Sequence, residues 1–153
     1  MKAYNGFSPS LRRTAHKWLD EQNRTTPRKC QACSQHAGPI LFHTEDYRRP
    51  YGTNIGQYAL CYICSTIMLS REHRPDNYAE YKRLVSMGYR WEHNGTSFPV
   101  FRRRFLLGLL DDDCKQYEPP EKNWLGLIEA HSIDIRKSVR EERARKVCGQ
   151  YVN

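Results

Sequence analysis

The sequence has no apolar run near the roughly 20 residues that a membrane span needs. Its longest, Phe105 to Leu110, is short and follows three arginines. Met1 to Gly6 lacks the apolar core of a secretory leader. No tract of low complexity is present, and nothing repeats except two cysteine pairs. Aliphatic side chains are scarce. The hydrophobic fraction is 39%, and ten Tyr, five Phe and three Trp must supply much of any core. So many aromatics argue against a fully disordered chain. Acidic residues also fall short: Lys and Arg number 25 against 17 Asp and Glu, a net charge of +8. An excess of this sign points to a polyanionic partner, most often nucleic acid, or else to a plain solvated basic surface. At 153 residues the chain is one domain, or one small domain with appended helices.

Six cysteines are present, and four of them are paired. Cys30-Gln31-Ala32-Cys33 and Cys61-Tyr62-Ile63-Cys64 are two Cys-x-x-Cys knuckles separated by residues 34–60. With no leader visible, the expected compartment is a reducing cytoplasm, where disulfides are disfavoured. A two-residue gap turns both thiolates toward one point, and two such turns complete a tetrahedron. The four therefore read as ligands of a structural Zn2+. A redox pair or buried free thiols are the alternative. A redox Cys-x-x-Cys opens a helix in a βαβ context that this sequence lacks. Cys114 and Cys148 have no partner at ligand spacing and read as bystanders.

The pattern predicts an α+β, mostly helical fold with three parts: a basic helical arm over residues 1–29, a four-cysteine zinc finger with its following helix over 30–90, and a helical region over 91–153. Ser8-Pro9 signals a helix start, and Leu11, Ala15, Trp18 and Leu19 carry it to Gln22. The arm holds seven Lys or Arg and two acids, a local +5 suited to phosphates. A short strand is expected over Gly38 to His43, a loop over Arg48 to Gln57, and a second strand over Gln57 to Leu60. Helices are expected from Cys64 to Glu72 and, capped by Asp76, up to Gly88. Tyr89 to Pro99 reads as irregular and Phe101 to Leu110 as a helix, closed by an acidic turn over Asp111 to Asp113. After Pro119-Pro120, a long basic amphipathic helix should bury Trp124, Leu127, Ile128, His131, Ile135 and Val139.

Knuckle, strand ending in His, loop, strand, knuckle, helix: this order resembles the zinc-stabilised ββα-metal finger of HNH-endonuclease-like proteins of phages and bacteria. The stretch that carries the resemblance spans about residues 28 to 90, with His43-Thr44-Glu45-Asp46-Tyr47, Pro50, Arg71 and Pro75 among the knuckles. The resemblance implies that zinc holds the finger together and that His43 is general base on a water. It implies that Asn54 fixes the loop and orients the base. One Mg2+ or Mn2+ would sit between strand and helix and stabilise the scissile phosphate. Glu45 and Asp46 are the candidate strand-end ligands. The setting implied is a bacterial cytoplasm, the host's if the gene is phage-borne.

The sequence departs from that pattern on the helix. Where the family places two His, after the last Cys and four residues on, this chain has Ser65 and Leu69. Thr44 stands where a second strand-end His is often found, and His73 lies two turns too far along. The expected function is therefore a zinc-binding, HNH-like DNA-binding protein with impaired or lost nuclease activity. Arg48, Arg49, Arg71, Arg102, Arg103 and Arg104 are the candidate phosphate contacts. Two alternatives stay open: an active metal-dependent endonuclease built on His43, and a zinc-stapled module that binds a protein partner, or a second copy, through the C-terminal helix.

Overall fold

The computed structural model describes residues 3–25, 27–36, 38–91, 114–116 and 118–150. Two compact units interleave along the chain. The first comprises Met1–Arg24, Thr44–Gln57 and Gly126–Asn153, and the second Thr25–His43 and Tyr58–Leu125.

The first unit opens on a two-residue hairpin. Tyr4 and Phe7 exchange backbone hydrogen bonds at 3.1 and 2.8 Å across Asn5 and Gly6, whose φ angles are 51° and 82°. Positive φ at both central positions is the geometry that an Asn-Gly pair adopts most readily. Helix α1 (Pro9–Glu21) follows. Ser8 Oγ accepts from Leu11 N–H at 3.2 Å, and Pro9 sits in the first turn, as the sequence predicts. Its inner face buries Arg12, Ala15 and Leu19. The loop expected over Arg48 to Gln57 contains one helical turn, α2 (Tyr51–Asn54). The core is aromatic: Tyr4, Phe7, Tyr47 and Tyr51 are all buried. Phe7 meets Tyr47 edge-on at 5.6 Å, and the Arg12 guanidinium lies 5.4 and 5.5 Å from the Tyr4 and Tyr47 rings.

The second unit holds a hairpin of β1 (Ile40–His43) and β2 (Tyr58–Cys61), paired antiparallel from Ile40↔Cys61 to His43↔Tyr58. Helix α3 (Tyr62–Ser70) begins directly after β2 and buries Ile63, Cys64, Ser65, Ile67 and Met68. Helix α4 (Pro75–Ser86) buries Tyr78, Tyr81, Leu84 and Val85. Asp76 is not its cap. Arg74 holds that position without a side-chain bond, and Asp76 lies in the first turn, where its charge suits the exposed N–H groups. Gly88, at φ 86°, ends the helix as expected. Tyr89 to Pro99 was expected to be irregular, yet Tyr89–Trp91 forms strand β3, paired with β4 (Cys114–Gln116). The expected helix over Phe101 to Leu110, with Arg102, Arg103 and Arg104, and the acidic turn over Asp111 to Asp113 lie outside the described residues.

Helix α5 (Trp124–Gln150) is the expected long helix. Ile128, Ile135 and Val139 are buried as expected, with Leu125 and Ser132 beside them, while Leu127 is 49% exposed and Trp124 and His131 are half-buried. The face recurs at alternating steps of three and four, and a polar residue, Ser132, occupies its middle.

Candidate metal centre

Two backbone turns bring the four thiols together. In the first knuckle, Cys30 N–H donates to the Gln35 carbonyl at 2.8 Å and the Cys30 carbonyl accepts from Ser34 N–H at 2.9 Å. Ser34 closes the turn at φ 64°. Gln31 then fixes this knuckle to β2: its N–H donates to the Ala59 carbonyl at 2.8 Å, and its Oε1 accepts from Ala59 N–H at 2.9 Å. In the second knuckle, Cys61 caps α3. Its Sγ accepts from Cys64 N–H at 3.4 Å.

All four cysteines are buried, and their sulfurs lie within 4.8 Å of one another. Cys33 Sγ and Cys61 Sγ are 3.7 Å apart. That is far beyond the ~2.05 Å of a disulfide. It matches the edge of about 3.8 Å that a tetrahedron with Zn–S bonds near 2.3 Å requires. The donor set and its geometry therefore fit a structural zinc. The electrostatics agree. Hydrogen bonds from Cys33, Cys61 and Cys64 hold the Cys30 thiol far below its ordinary range. Cys33, the donor to Cys30, is pushed well above it, and burial does the same to Cys64. Four buried thiols share their protons and charge within one cluster, where a divalent cation would draw out the thiolates.

The sequence reading missed a neighbour of this centre. The Tyr81 hydroxyl lies 2.8 Å from Cys64 Sγ, and Tyr81 is 1% exposed. Burial, then the nearby sulfurs, push the phenol well above its usual range, so it stays protonated and can donate to Cys64 Sγ as a thiolate. A Tyr on the inner stripe of α4 reads as core, and only the packing of α4 on α3 shows the contact.

The remaining predicted residues are placed by contacts of their own. His43 ends β1, is 3% exposed, and has its ring 6.3 Å from that of Tyr58. Asn54 belongs to the other unit, where its Nδ2 donates to the Arg48 carbonyl at 2.9 Å and ties the loop to α2. Thr44 Oγ1 accepts from Gly56 N–H at 2.9 Å. Glu45 is fully buried, and its carboxylate accepts from Tyr4 Oη and Asn5 Nδ2. Asp46 grips Arg48 through both oxygens, at 3.0 and 2.7 Å. Arg48 in turn reaches Ser138 and Glu142 at 2.7 and 2.6 Å. Arg71 Nη1 donates to the Met68 carbonyl at 2.7 Å, at the end of α3. Arg49 is exposed, with Nε donating to Tyr51 Oη at 3.2 Å. Cys148 is free and exposed.

Among the described residues, the cysteine tetrad is the one grouping of three or more metal-ligating side chains. No helix there is long and apolar enough to cross a membrane. No family model, curated protein or solved structure matches the chain.

Proposed function

We propose that the chain is a zinc-stapled DNA-binding protein on an HNH-like scaffold whose nuclease chemistry is impaired or lost. The observation that carries this reading is the buried tetrad, whose knuckles bracket a strand–strand–helix unit ending in α3. The net charge of +8 supports a phosphate-rich partner. Arg49 and the Arg102 to Arg104 run are assigned to phosphates. Arg48, already held by two carboxylates, contributes more to packing than to binding.

Loss of cleavage follows from the side chains available to a second cation. On α3 the matching positions are Ser65, which is buried, and Leu69, which has no donor atom. At the strand end, Glu45 and Asp46 are engaged by Tyr4, Asn5 and Arg48. His43 is almost fully covered, which denies it a water to activate. A cation contributes several kcal/mol to such a transition state, and each ~1.4 kcal/mol is tenfold in rate, so cleavage should fall by orders of magnitude.

The test incubates plasmid with zinc-replete protein in Mg2+, Mn2+ or EDTA, beside a His43→Ala variant and a gel shift on the same DNA. A salt-sensitive shift without nicking is the expected result. Nicking that needs both the divalent ion and His43 would establish an active endonuclease instead. Neither shift nor nicking would leave a protein-binding module, with α5 as its partner surface.

A further inference from the structure

The first unit contains a cleft that the reading above does not use. One wall is a single face of α1, where Thr14, Lys17, Trp18 and Glu21 follow one another at i, i+3, i+4 and i+7. The other is Arg49, Pro50 and Tyr51. Its volume is about 670 Å³, within the range of small-ligand pockets. The half-buried Trp18 ring stands 5.6 Å from the buried Tyr51 ring, tilted by 54°, and supplies the aromatic surface of the cleft. The Arg49 guanidinium lies 5.6 Å over the Tyr51 ring, oriented by its bond to Tyr51 Oη. Lys17 and Arg49 are both exposed, and among the described residues neither has a carboxylate within ion-pair distance.

An aromatic wall rimmed by two free cations fits a flat ring that carries phosphates on either side. A base inside a duplex cannot enter such a cleft, whereas an unstacked base can. We infer that this cleft takes an unpaired nucleobase of a single strand, stacked on the Trp18 ring, with Arg49 and Lys17 on the flanking phosphates. Glu21 gives the wall an acceptor for an exocyclic amino group, which favours cytosine or adenine over thymine. The inference rests on the nucleic-acid reading and deepens it: the site prefers single-stranded segments, such as frayed ends or loops.

The experiment measures fluorescence anisotropy of a labelled oligodeoxycytidylate and of a labelled duplex, at one salt concentration, with the full zinc-loaded chain. Trp18→Leu removes the stacking ring. Arg49→Lys keeps the charge but loses the planar group, which separates stacking from simple phosphate attraction. Trp18→Leu should bind the single strand roughly tenfold or more weakly, with duplex affinity unchanged, whereas Arg49→Lys, at a phosphate contact, should weaken both probes alike. Wild-type single-strand affinity in Trp18→Leu, with duplex binding intact, would overturn the inference and leave the DNA-binding reading standing. Displacement of the oligonucleotide by dCMP at the oligonucleotide's own dissociation constant would also overturn it, by assigning the cleft to free nucleotides. If the wild-type chain binds neither probe, the nucleic-acid reading itself falls.

Discussion

Asn5 shows how much one side chain can hold. Its Nδ2 donates to the carbonyl and the carboxylate of Glu45, while its Oδ1 accepts from Ser132 Oγ at 2.9 Å and Arg136 Nε at 2.8 Å. Removing it deletes four hydrogen bonds at once, to Glu45, Ser132 and Arg136. Asn5→Ala should therefore cost about 3 kcal/mol or more in urea unfolding of the zinc-loaded protein. A loss under ~0.5 kcal/mol would show that water replaces the bridge at no cost. The Asn5-Gly6 signal for this hairpin stands in the sequence, but its partners lie far along the chain and no local pattern reveals them. Tyr81 is the second case. Its hydrogen bond stabilises the Cys64 thiolate without touching the metal, so Tyr81→Phe should leave one zinc per chain but weaken it ten- to a hundredfold. Competition with a chelating dye measures that change, and the metal stoichiometry distinguishes it from misfolding.

At the scale of elements, local chemistry made most of the fold legible. Ser8-Pro9 starts α1, Gly88 stops α4, and the two knuckles mark the ends of the β1–β2 hairpin. What escaped the sequence was the β3–β4 pairing, because its strands are separated by residues 92–113 and each is three residues long. On α5 the expected Ile128, Ile135 and Val139 are buried, but Leu125 and Ser132 complete the face in place of Leu127 and His131. Burial decides the register, and mutation can check it. Ile135 is 3% exposed and Ile133 is 66% exposed. Ile135→Ala should cost about 2–5 kcal/mol in chemical denaturation. Ile133→Ala should stay within about 0.5 kcal/mol. Equal losses would contradict the assigned face.

For the whole molecule, the decisive feature is that the cysteine ligands and the aromatic core belong to different units. A reading in chain order divides the protein near residues 29 and 90. The compact units instead alternate, because Thr44–Gln57 and the helix from Gly126 onward join the N-terminal hairpin and α1. Long-range contacts of this kind leave no periodic trace. Their consequence is that zinc should stabilise the molecule unevenly. Chelation should raise amide exchange across β1, β2 and α3, while α1 and the middle of α5 keep most of their protection. Acid should act at the same place. Burial pushes the Cys64 thiol up, and thiols are protonated near neutral pH, so zinc must displace protons to bind. Uptake releases protons, and apparent affinity must fall as pH falls, by about a hundredfold per pH unit for two protons. Dye competition repeated between about pH 6 and pH 7 measures that slope. A flat profile would mean that the cluster already carries its thiolate charge without metal.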